Sequence, residues 1–235
     1  MSVYEKFTFD GNTLDRMTIA ALLAVNKDLG YYQQVVQGSY NAGGVGASGG
    51  THDGGGAVDI VWVDMKRKNR AFRNNGWAFW PRPTLPGVWS RHGHGILIGN
   101  DRASSAAKRQ VVAYKAGGNG LADNGRDAFP YRPKHITAFS YSRCALVSWK
   151  RLNDIAKLPK GIPLNPGGAR QVEVVAWALQ GFNMSLDGHR RGRMDEPLID
   201  ALGRFAKLRH VGKTEVQGPV SPQVCYELCV PTRES

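Results

Sequence analysis

The chain has 235 residues, of which 42% are hydrophobic and six are tryptophan, and its formal net charge is +12. This length and apolar content suit a folded protein of one large or two modest domains and exclude an intrinsically disordered chain. No apolar run is long enough to cross a bilayer and the N-terminus has no signal-like apolar segment, whereas the positive charge favours an anionic partner such as nucleic acid, an anionic membrane or a bacterial wall.

The first half of the chain alternates helical and strand patterns. A helical stripe of apolar residues predicts a helix over 13–29, with Asn12 as its N-cap and Gly30 at its end. Strands are predicted at 34–37, 58–63, 77–80 and 94–98, and further helices at 65–75 and from Ser104 or Ser105 to Lys115. This mixture of helices and strands predicts an α+β fold.

The composition changes near Asn119, where Gly, Asn and Pro replace the apolar periodicity. This stretch is typical of a linker or of a tail that wraps the first domain. In the segment after it, apolar residues recur at helical spacing, and the sequence predicts a small three-helix domain there. The expected organisation is a first domain over residues 1–127, a linker over 128–135 and a helical domain over 136–235.

Three cysteines lie in the last hundred residues, at Cys144, Cys225 and Cys229. An odd number is a poor disulfide framework and fits a protein made in a reducing cytoplasm. They could be metal ligands, but no matching pair of His or Cys accompanies them. We expect them to be small buried apolar residues.

The stretch GGTHDGGGAVDI places His52 and Asp59 at the two ends of a glycine loop that runs into an apolar strand. Such a loop can be a flexible connector in which the aspartate only caps a turn. Glycines also permit positive φ values and a tight return of the chain. The loop could therefore fold back so that His52 and Asp59 meet at one metal ion.

The later stretch WSRHGHG contains His92 and His94, which are two residues apart. In a strand such residues point to the same face, although the pair could be no more than a polar strand end. A catalytic zinc ion takes three protein ligands, for which imidazole and carboxylate are suitable, and keeps a fourth position open. His52, Asp59 and one or both of His92 and His94 supply that set.

These motifs together resemble the zinc peptidases of the D-alanyl-D-alanine carboxypeptidase and hedgehog-like superfamily, which includes many phage endolysins. The resemblance covers residues 13–125, from the segment QGSYNAGG through HGHGILIGN to YKAGGNGLADNG. It implies a small zinc peptidase domain with a central antiparallel sheet. It also implies a zinc site of His52, Asp59 and His94, with His92 either orienting a ligand or carrying a proton.

Arg91 is a departure from the pattern of this superfamily, many of whose members carry a glutamate there as general base. An arginine cannot act as a base, because its pKa is above about 12, but it could hold a substrate carboxylate or an oxyanion. Proton delivery to the leaving amine would then fall to His92. The candidate catalytic residues are therefore His92 and Arg91.

The C-terminal region resembles a small three-helix peptidoglycan-binding domain. The corresponding motifs are a first helix at Val175–Gln180, a turn at Leu186-Asp187-Gly188 with Gly192, a second helix at Leu198–Phe205, a turn at Gly218–Val220 and a last helix at Ser221–Leu228. The periodicity also fits any other small helical domain. Positive residues around Gly188 suit an anionic wall.

The expected function is that of an endolysin-like peptidoglycan hydrolase, which uses zinc to cleave an amide of the stem peptide or cross-bridge. We expect a monomer that stays in the host cytoplasm until lysis and then acts on the wall, with no membrane insertion. One alternative is a non-catalytic wall-binding protein with a structural metal site. A nucleic-acid binder is suggested by charge alone, and the sequence carries no recognised nucleic-acid motif.

Overall fold

The structure is a computed structural model, and it describes residues 2–159, 162, 164–211, 220 and 222–233. The chain divides into two compact units. The first comprises Met1–Leu29 with Gln33–Tyr141, and the second comprises Gly30–Tyr32 with Ser142–Ser235. Among the described helices, none has the length and apolar character that a bilayer crossing requires.

The first unit has six strands and three α-helices among its described residues. In chain order they are β1 (Lys6–Phe9), β2 (Asn12–Asp15), α1 (Arg16–Leu29), β3 (Val35–Gln37), β4 (Ala57–Ile60), α2 (Met65–Asn74), β5 (Trp77–Arg82), β6 (His92–Leu97) and α3 (Ser105–Lys115). Strands β1 and β2 form an antiparallel hairpin, and the other four form an antiparallel sheet in the order β3-β4-β6-β5. The predicted α+β class with a central antiparallel sheet is confirmed.

The start of α1 differs from the prediction. Asn12 lies in β2 instead of capping the helix, and α1 begins at Arg16. The reason is that the Asp15 carboxylate accepts hydrogen bonds from the backbone N–H of Thr18 at 2.8 Å and from its hydroxyl at 2.6 Å. The bond to the backbone satisfies an N–H group of the first helical turn that has no partner within the helix. Asp15 therefore has the capping role that the sequence pattern assigned to Asn12.

Strand β5 is longer than predicted, because it continues through Pro81 to Arg82. Proline lacks an N–H group and is tolerated in a sheet mainly on edge strands. Strand β5 is an edge of the four-stranded sheet, and it pairs along its whole length with β6. Strand β6 also begins two residues earlier than predicted, at His92.

Aromatic residues pack on both faces of the sheet. On one face Trp80 meets Tyr114 of α3 edge-on, with ring centroids 5.8 Å apart. On the other face Phe72 of α2 stacks on Phe79 at 4.3 Å and meets Trp77 at 5.4 Å. Because side chains alternate along a strand, the face that carries Trp80 and is covered by α3 is also the face of the candidate site described below.

The predicted linker, residues 128–135, belongs to the first unit, whose boundary with the second lies between Tyr141 and Ser142. The buried guanidinium of Arg73 donates hydrogen bonds to the backbone carbonyls of Phe129 and Tyr131. It also forms an ion pair with Asp127, at 2.6 Å. Of the two predicted alternatives, the structure therefore matches a tail that wraps the first domain.

The second unit contains more elements than the predicted three helices. In chain order its described elements are β7 (Val147–Ser148), α4 (Trp149–Lys157), α5 (Pro166–Gly181), α6 (Glu196–Leu208), α7 (Pro222–Glu227) and β8 (Thr232–Arg233). Helices α5, α6 and α7 occupy the three predicted stretches, whereas α4 and the parallel pair β7–β8 are additional. The predicted turn residues Gly218 and Pro219, and Ser221 at the predicted start of the last helix, lie outside the described residues.

None of the three cysteines forms a disulfide bond in the structure. Cys225 and Cys229 are buried, and Cys144 is half-buried. Burial raises the pKa of the Cys225 thiol to about 12, so that it behaves as a neutral apolar group.

Candidate metal centre

The register of the sheet gathers the candidate ligands on one face. Asp59 of β4 lies directly opposite His94 of β6, and His94 in turn lies opposite Trp80 of β5. Residues that face each other across antiparallel strands point to the same side of a sheet. His92 is two residues from His94 in the same strand and therefore shares that side, as the sequence predicts.

His52 reaches this face from the glycine loop that precedes β4. Its Nδ1 is 2.8 Å from the carbonyl oxygen of Gly38, so that Nδ1–H donates a hydrogen bond and Nε2 carries the free lone pair. The loop needs glycine at two points. Gly56 has a φ of +77°, and a Cβ atom on Gly55 would lie 2.5 Å from a carboxylate oxygen of Asp15.

The three predicted ligands form one buried group that could hold a metal ion. One carboxylate oxygen of Asp59, Oδ1, is 3.4 Å from His52 Nε2 and 2.7 Å from His94 Nδ1. The three ligand atoms lie within 4.8 Å of one another. A tetrahedral ion with bonds of about 2.1 Å separates its ligand atoms by about 3.4 Å, so the group is close to the size that such an ion requires.

The electrostatics of this group call for a positive charge. Burial opposes ionisation of Asp59, but hydrogen bonds with His52 and His94 outweigh burial and hold the pKa of its carboxyl group well below the usual range. For His52, burial lowers the pKa, but Asp59 outweighs it and the pKa is raised. For His94, burial dominates and the pKa is lowered despite Asp59. Asp59 is therefore ionised, which is the form in which a carboxylate binds a metal cation.

Gln110 of α3 completes the surroundings of His94. Its amide oxygen is 2.8 Å from His94 Nε2. When Nε2–H donates to this oxygen, Nδ1 carries the lone pair and faces Asp59 Oδ1, an acceptor that cannot share a hydrogen bond with it. This tautomer leaves Nδ1 free for a metal ion beside the carboxylate, and the donor set fits a divalent cation that accepts nitrogen and oxygen ligands.

An open pocket of about 450 Å³ lies over the group. His52, Asp59 and His94 contribute to its wall, and so do His92 and Arg91. The volume falls in the range of small-ligand sites. The remaining walls include apolar side chains, namely Val36, Val45, Val88, Trp89 and Leu121.

The two predicted catalytic residues differ in their surroundings. His92 is half-buried; its Nδ1 is 2.7 Å from the carbonyl oxygen of Ser90, and its Nε2 is 3.7 Å from Asp59 Oδ2. Arg91 is exposed at the pocket edge, where its backbone N–H donates to the Thr84 hydroxyl. Both side chains are thus at the pocket, with His92 the closer to the ligand group.

Two pocket residues were missed by the sequence interpretation. Gln110 is one polar residue on an exposed helix and carries no recognisable signal. Arg82 is buried at 7% exposure and faces the pocket from β5. Its spacing of two residues from Trp80 would have placed it on the same face, but Pro81 and Pro83 suggested that the strand had ended.

In the second unit, His189 lies in the predicted glycine turn and contacts acidic residues of α5 and of the N-terminal end of α6. Its Nδ1 is 2.8 Å from an Asp195 carboxylate oxygen, and its Nε2 is 3.7 Å from Glu173 Oε1. Burial lowers the pKa of His189, but the two carboxylates outweigh it and the pKa is raised. This network holds the turn around Gly188, which has a φ of +81°.

Comparison of this chain with protein-family models, with curated proteins and with solved structures found no match. The resemblance drawn from the motifs therefore remains an expectation.

Proposed function

We propose that the chain is a zinc-dependent peptidoglycan hydrolase that cleaves an amide bond in the wall stem peptide or cross-bridge. The observation that carries this proposal is a set of three ligands that faces an open pocket. Structural zinc sites are usually closed by four protein ligands, whereas catalytic sites have three and keep one position for water or substrate.

In this proposal His52, Asp59 and His94 hold the ion, which when bound supplies Lewis-acid activation of water and of the scissile carbonyl group. His92 protonates the leaving amine. Its Nδ1–H is engaged with the Ser90 carbonyl, so Nε2 is the atom that gains and loses a proton, and this atom is on the pocket side. Arg91 at the pocket edge would stabilise negative charge on the substrate.

The second unit would hold the enzyme on the wall. A net charge of +12 favours a polymer that carries carboxylates and phosphates. The arrangement of helix α5, the turn at Gly188 and helix α6 matches the motif order that resembles a peptidoglycan-binding domain. Tethering would raise the local concentration of substrate at the site.

One observation favours a second candidate, a wall-binding protein that keeps the metal for structure and cleaves nothing. Asp59 is the only carboxylate among the described residues that line the pocket. If Asp59 binds the metal, no carboxylate remains there to act as general base. The difference between the two candidates is therefore whether His92 can perform the proton transfers without a carboxylate.

The test uses the full chain, loaded with zinc and incubated with purified bacterial walls. We expect new free amino groups, and mass analysis of the released fragments identifies the bond that was cut. Chelator should abolish the release. Asp59→Ala and His52→Ala should abolish both metal binding and release, whereas the surface variant Arg109→Ala should retain them. Sedimentation with walls without any release of amines would favour the non-catalytic alternative.

A further inference from the structure

Arg82 lies at the end of β5, next to the candidate metal centre. It is opposite His92 in the register of the sheet, so its side chain is on the face that carries Asp59 and His94. The guanidinium group lies 5.1 Å from the centre of the Trp80 ring. The residue is 7% exposed and contributes to the wall of the pocket.

Among the described residues, no acid forms a hydrogen bond with Arg82 to balance its charge. Its buried Nη2 atom has no hydrogen-bond partner among the described residues. Burial lowers the pKa of the guanidinium to about 10, opposed mainly by the charge of Asp59, and a group with that pKa is still cationic at neutral pH. Burying an unpaired cation is costly, and such a group is normally paired.

The nearby acids are already engaged. Asp127 forms ion pairs with Arg73 at 2.6 Å and with Arg132 at 2.8 Å. Asp123 is exposed and accepts a hydrogen bond from Asn119. Asp59 belongs to the candidate metal centre. An anion that enters the pocket, whose wall includes Arg82, could supply the missing counter-charge.

We propose that Arg82 is an anion-binding subsite that pairs with a carboxylate of the ligand in this pocket. The guanidinium is planar and presents its N–H groups as a fork, which matches the two oxygens of a carboxylate. The apolar side chains of the pocket suit the alkyl groups of a short peptide. This inference rests on the proposed function and narrows its substrate class to peptides with a carboxylate close to the amide at the metal.

Arg82 and Arg91 both line the pocket, but they differ in burial. Arg82 is held in place by Trp80 and by the strand, whereas Arg91 is exposed and in contact with solvent. A buried cation interacts with an anion more strongly than an exposed one, because water screens it less. Recognition of a carboxylate should therefore depend on Arg82 far more than on Arg91.

The experiment compares the binding of N-acetyl-D-alanine with that of N-acetyl-D-alaninamide, which has the same shape without the charge. Binding to the zinc-loaded full chain is measured by nuclear magnetic resonance titration. We expect the acid to bind about 10–100-fold more tightly than the amide, the usual worth of charge-assisted hydrogen bonds. Arg82→Met should remove most of this preference, Arg82→Lys should keep part of it, and the surface variant Arg109→Met should keep all of it.

Two outcomes would overturn the proposal. One is equal binding of acid and amide by the wild-type chain, a result that needs no variant. The other is a preference that survives in folded Arg82→Met or that is lost instead in Arg91→Met. The two proposals fail in different ways. A preference for the acid that depends on Arg82, without any cleavage of walls, would refute the proposed hydrolase function and support the anion subsite. Cleavage of walls without that preference would refute only the anion subsite.

Discussion

Replacing Gln110 by leucine should weaken metal binding without removing any ligand. The Gln110 amide oxygen lies 2.8 Å from His94 Nε2, and by accepting a hydrogen bond from Nε2–H it would favour the tautomer whose Nδ1 is free to bind a metal. Leucine has a similar volume but no acceptor. Because His94 is only 6% exposed, water cannot readily replace the lost bond.

The expected size of the effect follows from the two tautomers of His94. In the variant, a bound metal forces the hydrogen onto Nε2, where it has no acceptor, and an unsatisfied buried donor costs about 1–3 kcal/mol. Without metal, the hydrogen can move to Nδ1 and bond to the Asp59 carboxylate, 2.7 Å away. Only the metal-bound state is penalised, so affinity should fall by roughly 10–100-fold.

Competition for zinc between the full chain and a chromophoric chelator measures this affinity. Gln110→Glu keeps an acceptor and should retain or increase zinc affinity, because a carboxylate makes the imidazole a stronger ligand. The neighbouring exposed residue provides the control Arg109→Leu, which should not change it. Equal zinc affinities in the wild-type chain and in folded Gln110→Leu would refute the tautomer argument.

Three other variants test separate parts of the chain. His92→Ala should keep its zinc while turnover of walls falls by about 10²–10⁴-fold, the worth of a general acid or base; a 10–100-fold loss of zinc affinity instead would show that His92 only orients a ligand. Arg73→Met should lower the free energy of unfolding by about 3–5 kcal/mol, because it breaks a buried ion pair, and should expose residues 128–135 to a protease that spares the wild-type chain. Because the pKa of His189 is raised on folding, its charge should stabilise the protein fully below about pH 6.5 and cease to do so as the pH rises through the raised value. The difference in melting temperature between the wild-type chain and His189→Gln, both with chelator, should therefore shrink over that range, and a constant difference would contradict the assignment.

Local sequence pattern was sufficient for most of the first unit. The strands at β4, β5 and β6 and the helices α2 and α3 carry the expected periodicities, since their side chains face either the core or solvent in a regular alternation. The hairpin β1–β2 was missed because residues 13–15 continue the apolar stripe of α1. Helix α1 begins only at Arg16 because the Asp15 side chain caps its first turn, and the apolar pattern gave no sign of this single residue.

The candidate ligands were predictable for a different reason. His52 lies in the loop just before β4 and Asp59 lies in β4, whereas His92 and His94 share one strand, so each pair is local in sequence. Joining the two pairs required only that β4 and β6 be neighbours. The role of the predicted linker was not predictable, because Arg73 and the two carbonyl groups that it binds are 56 and 58 residues apart in the chain.

Arg82 shows how register connects the fold to the pocket. Asp59 and His94 are fixed by the pairing of β4 with β6, whereas Arg82 depends on the pairing of β6 with β5. A slip of one residue in β5 would turn Arg82 to the opposite face and leave the ligand group unchanged. The candidate metal centre and the proposed anion subsite thus depend on two different strand pairings. For this reason, we expect changes at the end of β5 to alter which ligand the pocket accepts while the three candidate metal ligands stay in place.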